Sequence, residues 1–243
     1  MQATETRKLP ESVSSQPDTS TGPCLTRADV RGWPATVLKD EGEGAARIVR
    51  FDLPDGGVIV KEWAPRRSRL LALWARVLMR REIRHYRHLA GCPGIPPLLG
   101  SEGDTVLLLR YVEARPIHRS LPRDLLRAGL NDLERVLSAM HARRFVHLDL
   151  HQKLNALIDA EGRAWLIDFG QGLDCSRGLL RRMLFPALAQ VDRNAVLKFR
   201  ARYAPDTLEP ARREAVISRF GVRRDRWPKR LGRVLRRLVT GGH

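Results

Sequence analysis

The segment 145–170 constrains this chain more than any other stretch. It reads FVHLDLHQKLNALIDAEGRAWLIDFG, in which two apolar runs flank a turn signal at residues 159–162. Short apolar runs separated by such a turn predict a β-hairpin. Asp149 and Asn155 precede this hairpin, and Asp168 stands at its end. The sequence therefore predicts two carboxylates and a carboxamide at strand ends and in a tight loop.

This combination of polar groups has the chemistry that phosphoryl transfer from a magnesium nucleotide requires. One carboxylate orients the attacking hydroxyl and accepts its proton, while a second carboxylate and an amide oxygen serve as hard ligands for Mg²⁺. An aspartate that caps a turn beside an ordinary hairpin explains the same residues without any chemistry, because three-residue motifs recur by chance.

The parts and their order resemble the protein-kinase-like superfamily. Its members carry a catalytic aspartate, an asparagine and an Asp-Phe-Gly motif, preceded by a strand lysine and a helical glutamate. The resemblance covers about residues 33–203 and implies that Asp149 is catalytic and that Asn155 and Asp168 hold Mg²⁺. It also implies an α+β, two-lobed protein-kinase-like fold, in which a small N-lobe of antiparallel sheet plus one helix precedes a reduced, mainly helical C-lobe.

The lysine and glutamate of this motif set have candidates upstream. Lys61 ends the β-branched run 58–61, and the resemblance implies that it reaches the α- and β-phosphates of ATP. In the following predicted helix, 69–90, Glu82 is the acidic member of an apolar stripe that comprises Leu71, Trp74, Leu78, Glu82, Tyr86 and Leu89. An unpaired charge there is costly, so we expect a Lys61–Glu82 ion pair. Pairing of Glu82 with Arg81 or His85 is the alternative.

The phosphate-covering loop of the superfamily is only partly matched. Gly42 and Gly44 lie between the predicted strands 35–39 and 47–51, and the third glycine of the family pattern is absent. Glycines at this place would let backbone N–H groups approach the phosphates of ATP. A plain surface hairpin explains the same residues. We also expect residues 107–113 to form a strand that leads into the adenine-contacting connection.

Departures from the usual protein-kinase pattern restrict the branch of the superfamily that the chain resembles. Asn155 follows Asp149 by six positions instead of five, Leu148 replaces the usual arginine, and no Ala-Pro-Glu follows Gly170. The segment after Gly170 is also short for a full lower lobe. The chain thus looks like the compact bacterial branch that includes RIO-type kinases and lipopolysaccharide core (heptose or Kdo) kinases. Regulation through a phosphorylated activation loop is not expected.

Composition is consistent with one catalytic domain in a chain of 243 residues with 43% hydrophobic content. Residues 1–28, rich in Ser, Thr, Pro and Gln, predict a disordered tail. We expect the catalytic domain over 29–225, with its N-lobe at about 33–113 and its C-lobe at about 114–225, followed by a basic amphipathic helix over 226–243. The three widely spaced cysteines and the lack of a long apolar run indicate a cytoplasmic protein, which we expect to be a monomer.

The formal net charge of +17 exceeds what one bound nucleotide requires. The excess is concentrated on the helix after Lys61 and over residues 226–243. Such basic helices can contact an anionic membrane at its inner face, or they can pack their apolar sides on the domain. Because the basic stretches lack interleaved aromatic residues and a reading motif, we expect no specific nucleic-acid binding.

The sequence thus predicts an ATP-dependent, Mg²⁺-requiring kinase that transfers the γ-phosphate to a hydroxyl. A RIO-like serine/threonine kinase acting on a protein is the favoured interpretation. A lipopolysaccharide core sugar kinase at the inner membrane surface and a nucleotide-binding pseudokinase are the alternatives. The identity of the acceptor does not follow from the sequence.

Overall fold

Residues 24–40, 46–63, 69–150 and 154–220 are described by a computed structural model. The chain has an α+β fold, as the sequence predicts. The helices are α1 Arg27–Val30, α2 Arg69–His88, α3 Arg123–Ala142, α4 Leu179–Tyr203 and α5 Pro210–Phe220. The strands are β1 Ala35–Lys39, β2 Ala46–Leu53, β3 Gly56–Trp63, β4 Leu98–Glu102, β5 Val106–Arg110, β6 Ala114–Pro116, β7 Phe145–Val146, β8 Ala156–Asp159, β9 Ala164–Leu166 and β10 Leu173–Asp174.

The first half of the chain forms an antiparallel sheet in the order β1-β2-β3-β5-β4. One face of this sheet packs a cluster of buried apolar side chains against α1, made of Val30, Val58, Val60, Val106 and Leu108. Successive side chains of a strand point to opposite faces, so Lys61 lies on the face away from Val60. This alternation turns Lys61 toward the side of the sheet where α2 lies.

Helix α2 contacts β4, β5 and a 3-10 turn over Phe169–Gln171. The buried face of α2 includes Met79, Glu82 and Tyr86. The predicted stripe is wrong at Trp74, whose side chain is 61% exposed. At 100° per residue, Trp74 projects well away from the direction of Met79 and Tyr86, and only the latter direction meets the sheet and the turn.

In the second half of the chain, short paired strands carry the connecting loops. Strands β6, β8 and β9 form an antiparallel sheet against which α3 packs, and β7 pairs with β10. The chain leaves α3 through Arg144, whose left-handed φ of 57° reverses it directly into β7. The hairpin predicted around the turn at residues 159–162 is present, because β8 pairs with β9.

By contacts, the described part of the chain divides into two compact units, with the boundary between Val196 and Leu197. The first contains the sheets and α1 to α3, and the second contains the end of α4, a 3-10 turn over Pro205–Thr207 and α5. This division falls inside the predicted catalytic domain 29–225, whose bounds stay a prediction. Most of the predicted tail 1–28 and the whole predicted helix 226–243 lie outside the described residues. Within the described part, no helix has the length and apolar character needed to span a membrane.

Candidate active site

Lys61 and Glu82 form a buried ion pair between β3 and α2. The Nζ of Lys61 donates to both Glu82 carboxylate oxygens at 2.8 Å, and the two side chains are 14% and 5% exposed. The alternative partners are engaged elsewhere, because Arg81 donates to the carbonyls of Gln171 and Gly172 and His85 contacts that of Phe169. The ion pair expected from the apolar stripe is present.

Asp168 joins this pair from the other half of the chain. Its Oδ1 lies 3.2 Å from the Nζ of Lys61, and its side chain is 52% exposed. Burial favours the neutral acid, but the charge and hydrogen bond of Lys61 outweigh it and hold the pKa of Asp168 below its usual value. Burial likewise opposes the charge on Lys61, yet Glu82 and Asp168 together raise the pKa of Lys61. The lysine therefore remains charged between two carboxylates.

Asp168 has a left-handed backbone with φ 63°, a conformation that is uncommon for a residue other than glycine. Tertiary contacts hold it there. Its carboxylate contacts Lys61 at 3.2 Å, and the ring of Tyr86 meets the neighbouring Phe169 edge-on with centroids 5.1 Å apart. Strain kept by surrounding contacts is typical of functional sites.

Asp149 and Asn155 lie together in the loop that follows β7. Asn155 donates through Nδ2 to the backbone carbonyl of Asp149 at 3.0 Å and to its carboxylate Oδ2 at 3.2 Å. Both side chains are largely buried. Leu148 beside them is left-handed, with φ 65°. The six-residue spacing thus still allows a direct contact between the two predicted residues.

The Asp149 loop and the Asp168 segment are linked through His147 and Ile167. The Ile167 amide donates to the Asn155 carbonyl at 3.0 Å, and His147 Nε2 lies 3.0 Å from the Ile167 carbonyl. A carbonyl only accepts, so Nε2 carries the hydrogen, while Nδ1 is placed to accept from the Asp149 amide at 3.4 Å. Burial lowers the pKa of His147, which favours this neutral form. His147 therefore couples the two segments.

Phe169, the residue after Asp168, is fully buried and fixes this segment in the core. Its ring lies among those of Tyr86, Phe145 and His147, with centroids 5.0 to 5.8 Å apart. His85 Nδ1 donates to its carbonyl at 2.8 Å. Burial lowers the pKa of His85 to about 4, so this ring is neutral near pH 7. These contacts join α2 to the Asp168 segment.

Asp192 of α4 is a site residue that the sequence analysis missed. Its side chain is 1% exposed and accepts from the backbone amides of His147 and Leu148 at 2.8 Å each, while His141 Nε2 lies 3.1 Å away. These bonds hold the loop directly before Asp149. Its sequence signal resembles that of Glu82, since Asp192 is an acid spaced three residues from the buried Ala189 and Ala195.

The donor atoms fit a magnesium ion that completes its coordination elsewhere. No group of three or more His, Cys, Asp or Glu side chains in the described residues could hold a metal by itself. Asp168 offers a half-exposed carboxylate, and Asn155, whose Nδ2 is engaged, has its carbonyl oxygen as the remaining polar atom. Mg²⁺ prefers such oxygens and commonly takes its other ligands from water and phosphate. The two side chains therefore offer oxygen atoms of the kind that Mg²⁺ prefers.

The remaining predicted site residues, Gly42 and Gly44, lie outside the described residues. Lys61 contacts both Glu82 and Asp168, and Asn155 and Asp149 are joined to this group through His147 and Ile167. Comparison of the chain with models of known protein families and with curated proteins found no match.

Proposed function

We propose that this chain is an ATP-dependent, Mg²⁺-requiring phosphotransferase with a two-lobed protein-kinase-like fold, which transfers the γ-phosphate to a hydroxyl. The observation that carries the proposal is the Lys61–Glu82–Asp168 arrangement, in which a buried lysine is held charged between two carboxylates beside the Asp149 loop. A purely structural ion pair does not need a half-exposed third partner. It also does not need a left-handed aspartate at the same place.

In this proposal, each side chain has a distinct task. Lys61, positioned by Glu82, binds the α- and β-phosphates through its charge. Asp168 and Asn155 would hold Mg²⁺, which supplies neutralisation of the phosphate charge. Asp149 orients the acceptor hydroxyl and accepts its proton. Positioning and electrostatic stabilisation then provide most of the rate, because phosphoryl transfer needs little covalent chemistry from the protein.

The acceptor we favour is a serine or threonine of a protein, as in RIO-type kinases. The chain's Ser- and Thr-rich N-terminal segment makes autophosphorylation a direct first assay. Transfer to a lipopolysaccharide core sugar would give labelled lipid instead.

The test uses purified full-length protein, Mg²⁺ and γ-labelled ATP, with and without a bacterial membrane extract. We expect Asp149→Asn to lose at least about 100-fold in turnover while ATP still binds, since removal of a positioned proton acceptor typically costs 10²–10⁴-fold. Asp124→Asn is the matched control, because Asp124 lies on α3 and its side chain is 97% exposed.

Label in protein bands that depends on Asp149 supports the favoured acceptor, and label in the lipid fraction supports the sugar kinase. Full activity in Asp149→Asn would overturn the assignment of the catalytic residue. ATP binding without any transfer that depends on Asp149 would instead indicate a nucleotide-binding pseudokinase.

A further inference from the structure

Large apolar side chains that the fold leaves exposed are concentrated in two short segments. In the described part of the chain, eight of the twelve exposed large hydrophobic residues lie in the first half of α2 or at the start of α4. They are Leu70, Leu73, Trp74, Val77, Leu179, Leu180, Met183 and Leu184. Exposed apolar groups scattered singly need no explanation, whereas clustered ones indicate an interaction surface.

The α2 group forms one stripe on the outside of the helix. Its members are three or four residues apart and therefore share a face. The opposite face, which includes Met79 and Tyr86, is the one buried against the rest of the fold. Leu70 and Trp74 are 79% and 61% exposed. Helix α2 thus carries an exposed apolar face in its first half, opposite the face that the fold buries.

The start of α4 is exposed along its whole length. Every residue over 177–184 is exposed, and the large apolar residues in this stretch alternate with Arg177, Arg181 and Arg182. Leu179, Leu180 and Met183 are each at least 70% exposed. An ordinary amphipathic surface helix would turn such residues inward.

The exposed charged residues that belong to the two groups are of one sign, and Arg80 of α2 is paired with Asp104 from the turn between β4 and β5. The exposed charged residues of α2 are arginines, and Glu82, the acid of this helix, is buried with Lys61. No acidic residue occurs between Asp174 and Asp192. Arg81 of α2 donates to the carbonyls of Gln171 and Gly172, shortly before α4, and burial together with the charge of Arg181 lowers the pKa of Arg81.

We propose that the outer face of the first half of α2 and the start of α4 together form a docking surface for an anionic phospholipid bilayer. Leucine, methionine and tryptophan side chains enter the boundary between headgroups and acyl chains, while the arginines meet lipid phosphates. The occupant follows from charge complementarity, because the two segments carry exposed aliphatic groups and arginines and no exposed acid of their own. This inference does not rest on the proposed phosphotransfer.

A vesicle-binding experiment tests the surface with the full-length protein. Sedimentation is measured with vesicles of phosphatidylcholine alone and with vesicles that also contain phosphatidylglycerol. We expect binding to the anionic vesicles that weakens with salt, and at least about tenfold weaker binding when Leu73, Trp74, Leu180 and Met183 are all changed to serine. Arg181→Gln alone should weaken it about fivefold.

The matched control changes Val37 and Leu38 to serine. Both are exposed apolar residues of β1, at 49% and 52%, and neither belongs to the docking surface. This variant should bind like the wild type. Equal binding to neutral and anionic vesicles, no binding at all, or unchanged binding of the four-site variant would each overturn the proposal.

Tryptophan fluorescence provides a second readout that does not depend on how the four-site variant folds. Brominated phosphatidylglycerol quenches a tryptophan that enters the acyl region, so wild-type emission should fall when such vesicles are added. Trp74→Phe should remove the larger part of this quenching. Quenching that persists undiminished in Trp74→Phe would mean that another part of the chain contacts the bilayer, which contradicts the proposed surface.

Discussion

Removal of Lys61 should destabilise the protein more than removal of its partner Glu82. In Lys61→Met, the carboxylates of Glu82 and Asp168 lose their common cation, and Glu82 is only 5% exposed to water. In Glu82→Gln, Lys61 keeps Asp168 at 3.2 Å, and the amide preserves the volume of the side chain. The two variants differ because Lys61 keeps Asp168 as a partner in Glu82→Gln, whereas both carboxylates lose their cation in Lys61→Met.

The magnitudes can be worked from the distances. At an effective dielectric constant of about 20, unit charges 2.8 Å apart attract by about 6 kcal/mol and those 3.2 Å apart by about 5 kcal/mol. Desolvation offsets most of this, and removing one partner of a buried pair costs about 3–5 kcal/mol. We therefore expect a loss of about 3–5 kcal/mol in Lys61→Met and about 1–2 kcal/mol in Glu82→Gln.

The stability lost in Lys61→Met should also change with pH, and the direction of that change is an independent test. Burial raises the pKa of Glu82, and Lys61 opposes that rise. In Lys61→Met, the pKa of Glu82 rises further. Glu82 then binds a proton more tightly in the folded state than in the unfolded state, where it ionises at its ordinary pKa. Stability is then gained as the pH falls toward that raised pKa and lost as the pH rises. The deficit relative to wild type should shrink between pH 7 and pH 5.

The assay is equilibrium urea unfolding followed by far-UV circular dichroism, with Lys61→Met, Glu82→Gln and the double replacement Lys61→Met, Glu82→Leu. An apolar pair should recover at least half of the Lys61→Met loss, because no buried charge is then left at either of the two positions. Equal losses in the two single variants, or a double variant that loses as much stability as Lys61→Met alone, would refute the reasoning.

Three further predictions concern stability away from this pair. Asp192→Asn should cost about 2–4 kcal/mol in urea unfolding, because one loop amide then faces an NH₂ group instead of a carboxylate, whereas the exposed Asp124→Asn should cost less than about 0.5 kcal/mol. Arg144→Gly should raise the free energy of unfolding by about 0.5–1 kcal/mol, since glycine adopts φ 57° freely, and Arg143→Gly, at φ −82°, should lower it. His85→Asn should flatten the acid side of the plot of unfolding free energy against pH. Because the pKa of His85 is about 4 in the folded state, the wild type keeps its full stability above pH 6.5 and loses about 2 kcal/mol as the pH falls from 6.5 to 4. An unchanged pH profile in His85→Asn would contradict this.

Much of the fold could be predicted from local patterns in the sequence. The predicted strands 35–39 and 47–51 match β1 and the centre of β2, and the turn at 159–162 joins β8 to β9. Alternation of side chains and turn residues are short-range properties, which the order of residues expresses directly. The Lys61–Glu82 pair could be predicted for a related reason, since a lone acid in an apolar stripe requires a buried cation.

Periodicity could not decide which apolar face of α2 is buried. Its first half carries Leu71 on one side and Leu70, Leu73 and Trp74 on another, and a helical period alone supports either choice. Packing settles the matter, because the sheet and Phe169 meet only the side of Met79 and Tyr86.

Only the tertiary structure decided how the predicted site residues are held. Asp192 reaches the amides of His147 and Leu148 across more than 40 positions of sequence, and Lys61 reaches Asp168 across 107. The left-handed backbones of Leu148 and Asp168 are unfavourable locally and persist because these distant contacts outweigh their cost. The sequence by itself therefore determined which chemical groups the site contains and the elements that carry them. Their distances and charge states depend on long-range packing, which no local pattern encodes.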